Sequence, residues 1–194
     1  MRYLLDAEQA GEIDRISIKE LGIPSLVLME RAALSLSRHV TEYLYAKDFQ
    51  PENEEEFKKK MKILILCGVG NNGGDGVAAG RILKEWGYHI SIFLLGNREK
   101  ASAEMKTQLS IAEKLSMNFI DNPNLKEFPV LIDAIFGIGL SREVTGTYAE
   151  WIGKMNASGS YIISVDIPSG ISASTGAVLG TAVKADMTVT FGEG

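Results

Sequence analysis

One cysteine, Cys67, and two histidines, His39 and His89, are the only thiol and imidazole side chains in this 194-residue chain. A single cysteine excludes a disulfide framework and a thiolate metal site. Cys67 lies in an apolar run and reads as a buried thiol. The histidines fall in an amphipathic helix and a strand, where structural roles account for them. Basic residues are also scarce: 20 Lys and Arg against 25 Asp and Glu give a net charge of −5, which excludes a broad nucleic-acid surface. No uninterrupted apolar run is long enough to span a bilayer. The opening Met1-Arg2-Tyr3-Leu4-Leu5-Asp6 has no apolar region of the kind that begins a secretory signal, so no membrane association and a cytoplasmic location are expected. Internal repeats and low-complexity tracts are absent. The length suits one domain with a sizeable core, residues 1–194.

What is present is a regular alternation of patterns. Residues 6–21 carry Ala10, Ile13 and Ile16 at helical spacing, and Gly22 ends that run. Pro24 suits the first turn of a second helix reaching about residue 45, with Leu28, Ala32, Leu36 and Val40 on one face. Together these form a helical lead, 1–46. A charged stretch follows at 47–60, acidic and then basic, and reads as a solvated connector or helix end. From residue 61 onward strands and helices alternate. Strands are expected at 62–67, 88–95, 118–120 (a short edge strand), 129–135, 161–166 and 186–191. Helices are expected at 77–86, 102–115 and 148–155. This order predicts an α/β fold, a mostly parallel sheet covered by helices on both faces.

In a parallel sheet the strands' carboxyl ends share one edge, and ligands of open α/β sheets bind there. The first strand is followed by Gly68-Val69-Gly70-Asn71-Asn72-Gly73-Gly74-Asp75-Gly76. Gly68, Gly70 and Gly73 match the three-glycine fingerprint of a dinucleotide-binding turn, but Asp75 would repel a pyrophosphate. The second strand leads to Gly96, Asn97 and Arg98, with no acid for a ribose hydroxyl; Arg98 reads either as a phosphate contact or as surface decoration. Asp133 lies near the end of the next major strand, before Phe136-Gly137-Ile138-Gly139-Leu140-Ser141-Arg142, whose amides and arginine form a better candidate phosphate cradle. Asp166 ends another strand, before Ile167-Pro168-Ser169-Gly170. Any one aspartate could be a helix cap or an Asx-turn. Three on one edge argue for a functional cluster, balanced by a cation or a proton. With no His or Cys nearby, its oxygen-only ligands suit a hard cation.

Four motifs are familiar in combination: Gly-Asn-Asn-Gly-Gly-Asp-Gly at 70–76, Asp-Ala-Ile-Phe-Gly-Ile-Gly at 133–139, Val-Asp-Ile-Pro-Ser-Gly at 165–170 and Ala-Asp-Met-Thr-Val-Thr-Phe at 185–191. With Met29-Glu30-Arg31-Ala32 in the lead, they make the chain resemble the NAD(P)H-hydrate epimerase family, the YjeF N-terminal domain. The resemblance covers nearly the whole chain. It implies a Rossmann-like three-layer α/β/α sandwich, usually dimeric, that interconverts the R and S forms of hydrated NADH and NADPH. It also implies that substrate is contacted by Asn71, Asn72, Gly73, Gly74, Asp75, Gly137, Ile138, Gly139, Leu140, Ser141, Arg142, Glu143 and Asp166. Asn72, Asp133 and Ser169 would bind a potassium ion. Asp166, ending a strand at the crevice, is the candidate acid/base, because a carboxylate there can move a proton and stabilise a cationic ring.

The resemblance also sets expectations about the chain's end. Family members continue past the final Phe191-Gly192-Glu193-Gly194 with a Pro-Lys-containing segment, so a truncated carboxyl terminus is expected, without that lysine and with further sheet residues missing. Many relatives are fused to an ADP- or ATP-dependent dehydratase. Two other readings are weaker. A non-catalytic scaffold would have lost the ion and acid residues, which are all present. A hydride-transferring dehydrogenase would carry the missing ribose acid.

Overall fold

The computed structural model describes residues 7–46 and 53–191. Six parallel strands run β1 (Lys62–Cys67), β2 (His89–Leu94), β3 (Asn118–Phe119), β4 (Val130–Ala134), β5 (Tyr161–Val165) and β6 (Met187–Val189) in the order β3-β2-β1-β4-β5-β6. The chain winds outward from β1 to β3, then crosses back to place β4 on the other side of β1. The switch point of the sheet is therefore the gap between the carboxyl ends of β1 and β4, where such folds bind ligands. The short strand expected at 118–120 is present as the β3 edge.

β1 is buried on both faces, and its alternation assigns each side chain to a layer. Ile63, Ile65 and Cys67 join a core beneath α2 (Ser25–Ala46), α4 (Asn71–Glu85) and α5 (Ala103–Lys114). Leu64 and Leu66 join a second core beneath α6 (Gly146–Asn156), with Trp151, Ile152 and Met155. The result is the expected three-layer α/β/α sandwich. The two leading helices are α1 (Ala7–Lys19) and α2. Within the charged stretch, residues 47–52 lie outside the described residues, and Glu54–Lys60 forms a short helix, α3. Its acidic first turn and basic last turn suit the helix dipole, and the Asn53 side chain accepts the Glu56 N–H.

The largest departure from expectation concerns the glycine run. The pattern predicts a helix from residue 77, yet α4 begins at Asn71, so Asn71 to Gly76 are helical. Helical glycines are unfavourable by propensity, and packing explains them here. A methyl group on Gly73 would lie 1.9 Å from the Gly68 carbonyl oxygen, and one on Gly76 would lie 2.5 Å from Ala134 Cβ. At Gly74 it would lie 2.7 Å from Met29 Cε on α2. At Gly68 it would lie 2.1 Å from the Ile135 carbonyl oxygen. The helix thus starts against the bare backbone of the β1 and β4 ends. Gly70, the N-cap residue, differs: nothing lies within 4 Å of its missing side chain.

This contrast is testable by thermal unfolding. Gly73→Ala should cost about 3 kcal/mol, because the backbone it strikes cannot yield as a side chain could, lowering the melting temperature by roughly 6–12 °C. Gly70→Ser, with open space and a capping hydroxyl, should leave the melting temperature unchanged or raise it.

Candidate active site

The carboxyl edge at the switch point brings together residues from three segments. From α4 come Asn71, exposed, then Asn72, buried, and Asp75, half-buried. Asn72 and Asp75, three residues apart on a helix, are neighbours on one face. The segment after β4 supplies Gly137, against which the Asn72 side chain packs: a methyl group on Gly137 would lie 3.1 Å from Asn72 Oδ1. The Asn72 Nδ2 is buried and has no hydrogen-bond partner. The segment after β5 supplies Asp166 and Ser169.

Asp166 is held in a rare conformation. Its φ is 67°, in the left-handed region, and the Ile167 N–H donates to the Val165 carbonyl across it at 2.8 Å. A non-glycine residue in this region costs energy that the surroundings must offset, and such positions cluster at active sites. The Asp166 N–H donates to the Val189 carbonyl of β6, and the Ile138 and Phe191 N–H groups donate to its carboxylate. Burial raises its pKa above the ordinary carboxylate range, against the opposing effect of those two amides. Asp75 is pushed up to about 8, first by burial, then by the charge of Asp166 and of Asp14 on α1. Two carboxyl groups that repel one another in a partly dry site hold a proton near neutral pH.

Asp133 lies near the end of β4, as expected, but it is fully buried rather than open on the edge with the other two aspartates. Four donors meet its carboxylate: Ser169 Oγ at 2.5 Å, Ser169 N–H at 2.8 Å, Ser164 Oγ at 2.8 Å and Ile135 N–H at 3.3 Å. Ser164 is its direct partner in the β4–β5 register. Desolvation nonetheless outweighs these bonds and keeps its pKa raised. The Ser169 hydroxyl also accepts the Phe136 N–H at 2.8 Å. Asp133 therefore ties β4, β5 and both following segments into one unit.

The remaining expected residues are placed less tightly. In the 137–143 segment the Leu140 N–H closes a turn on the Gly137 carbonyl, and the Ile138 amide is committed to Asp166, so part of the proposed phosphate cradle is already engaged. Ser141, Arg142 and Glu143 are exposed. Arg98, ambiguous in sequence, pairs with Glu113 of α5. Cys67 is buried and its thiol is pushed up by desolvation, the state of an inert thiol. Among the described residues, no helix is long and apolar enough to cross a membrane.

Sequence reading missed one contributor. Ser164 could have been found as the lone polar residue inside the apolar run 161–165.

Known proteins resemble this chain in sequence and in fold. The family described as YjeF-related protein N-terminus matches residues 25–193. A protein of Oenococcus oeni named NAD(P)H-hydrate epimerase is 41% identical over 188 residues, covering 96% of this chain and 84% of that protein. The protein of the same name from Limosilactobacillus fermentum is 42% identical, with the same coverage. The crystal structure of yeast ynu0 superimposes with a TM-score of 0.82 over 97% of this chain and 80% of its own, at 22% identity, a likeness of fold. With the match spanning both edge segments and the sheet, the chain belongs to the YjeF-related N-terminal family.

Proposed function

We propose that the protein is an NAD(P)H-hydrate epimerase, an isomerase that interconverts the R and S forms of hydrated NADH and NADPH. The observation that carries this reading is the pair Asp75 and Asp166, two repelling carboxyl groups at the switch point, in a chain whose relatives bear that name. The substrate carries a hydroxyl on the carbon next to the ring nitrogen. Protonation of that hydroxyl lets the nitrogen lone pair expel it as water, leaving a planar cationic ring. Water then returns to either face and gives up a proton, so atoms and charge balance without a co-reactant.

Each carboxyl group suits one part of this cycle. Asp75, protonated near neutral pH, is the donor to the leaving hydroxyl. Asp166, its carboxylate fixed by two amides, stabilises the cationic ring and accepts the proton from the returning water. The open space at Gly70 leaves room for the nucleotide to approach the start of α4, with Asn71 and the 137–143 segment flanking it.

The residues fit a potassium ion in their chemistry. Asn72, Asp133 and Ser169 offer carboxamide, carboxylate and hydroxyl oxygens, and all three residues are buried. A single buried carboxylate suits a monovalent charge. The described residues contain no cluster of three or more His, Cys, Asp or Glu of the kind that holds a more highly charged ion. Bound there, the ion would offset the Asp133 charge and fix the segments around it. On the same reading the protein forms a homodimer in the cytoplasm and shares its substrate with an ADP- or ATP-dependent dehydratase.

Chiral chromatography of hydrated NADH, with and without the protein, tests the activity: R/S exchange should accelerate with wild type. Asp166→Asn should lose at least about a hundredfold in turnover while keeping the fold, since asparagine tolerates the left-handed backbone. Nucleotide binding without exchange in wild type would instead mark a binding module.

The pH dependence follows from Asp75. Activity should fall as pH rises through about 8, when the donor proton is lost. Its folded value is raised above the unfolded value of about 3.9, so the stability it contributes is full below that value and lost as pH climbs toward about 8. Asp75→Asn should therefore be inactive yet melt at a higher temperature than wild type at pH 8.5, with a smaller difference at pH 5.

A further inference from the structure

We infer that the paired rings of Phe136 and Tyr148 are a stacking platform for the adenine of the nucleotide, on the side of the crevice away from Asp75 and Asp166. The inference rests on the epimerase reading and deepens it, because it assigns the half of the substrate that does not react.

Contacts place the pair. Tyr148 belongs to α6, and its hydroxyl donates to the Leu95 carbonyl, just past β2, at 3.3 Å. A methyl group on Gly96 would strike that hydroxyl and would lie 3.2 Å from Val69 of the glycine run, so the tip of the tyrosine is seated over the ends of β1 and β2. Phe136 follows β4 and packs on Tyr148, with ring centroids 4.8 Å apart and planes tilted by 48°. The pair thus reaches from β4 across the switch point toward β2, whereas Asp166 follows β5 on the other side. A dinucleotide lies across such a crevice. A substrate whose nicotinamide meets Asp75 and Asp166 therefore extends its adenosine toward the tyrosine.

The rings suit a base. Both pack against the second core yet are only half-buried, so part of each stays open. Both are held in place: Tyr148 by Leu95, and Phe136 by Ser169, whose hydroxyl accepts the Phe136 N–H at 2.8 Å and donates to its carbonyl at 3.2 Å. Little freedom is then lost when a ligand stacks on them. The polar groups at the end of β2 are engaged elsewhere. Asn97 Oδ1 accepts the Glu99 N–H at 2.8 Å, and Arg98 pairs with Glu113. That leaves aromatic faces to hold the adenosine, and every base has a face that stacks. The adenine lies far from the reacting carbon, so this contact is the same in ground and transition states and belongs in KM, not kcat.

The test compares hydrated NADH with hydrated reduced nicotinamide mononucleotide, which keeps the reacting ring and lacks the adenosine. Tyr148→Ala should raise KM for hydrated NADH by about tenfold to a hundredfold, the range of one base–aromatic stack, with kcat unchanged. Its kinetics on the mononucleotide hydrate should match wild type, which also shows that the variant is folded. Tyr148→Phe, which keeps the ring, should behave as wild type on both. Equal losses on both substrates, an unchanged KM for hydrated NADH, or failure of phenylalanine to rescue would overturn the proposal. Calorimetry with ADP-ribose, which has the adenine and no nicotinamide, reads the platform without turnover. It should bind wild type and Tyr148→Phe alike and Tyr148→Ala more weakly by a similar factor; equal binding by all three would overturn the proposal. Absence of exchange by wild type on both substrates would overturn the epimerase reading itself, a separable outcome.

Discussion

The first turn of α4 lies directly on the backbone that ends β1. A helix can approach that closely only where both surfaces lack side chains, and Gly73 against Gly68 supplies this contact. Gly74 and Gly76 extend the same condition toward α2 and β4. The consequence is positional. With α4 seated this low, Asn72 reaches Gly137 and Asp75 comes within the field of Asp166. A methyl group at Gly73 would lift the helix and separate the groups that do the chemistry.

A second fixed point lies beneath. Asp133 is a buried carboxylate whose hydrogen bonds run to β5 and to Ser169, and Ser169 in turn holds Phe136. Leaving such a group unsatisfied would be costly, so the segments after β4 and β5 are held where its donors must be. Asp166 keeps a strained backbone because this frame, together with β6, determines its position. The glycine contact sets the height of one wall of the crevice and the Asp133 network sets the other. Rigid support of this kind lets a site hold two mutually repelling carboxyl groups.

Much of this was legible in the residues. The alternation of apolar strands and amphipathic helices fixes the three-layer class, and the polar segments after each strand mark the edge that binds. The glycine run illustrates what local patterns miss. Four glycines in seven residues read as a loop, because helix propensity is a local property, and only the close approach of β1, β4 and α2 makes the last three helical. Asp133 illustrates the opposite difficulty: its place near a strand end suggested the open edge, but the β4–β5 register pairs it with Ser164 in the interior.

The account stands on one chemical claim, that the carboxyl groups at the switch point expel the ring hydroxyl as water and allow water to return to the other face. Epimerisation in ¹⁸O-labelled water, followed by mass spectrometry of the separated R and S hydrates, tests it directly. The account predicts one solvent oxygen incorporated for each inversion, at a rate set by the protein. Inversion that retains the original oxygen would contradict it.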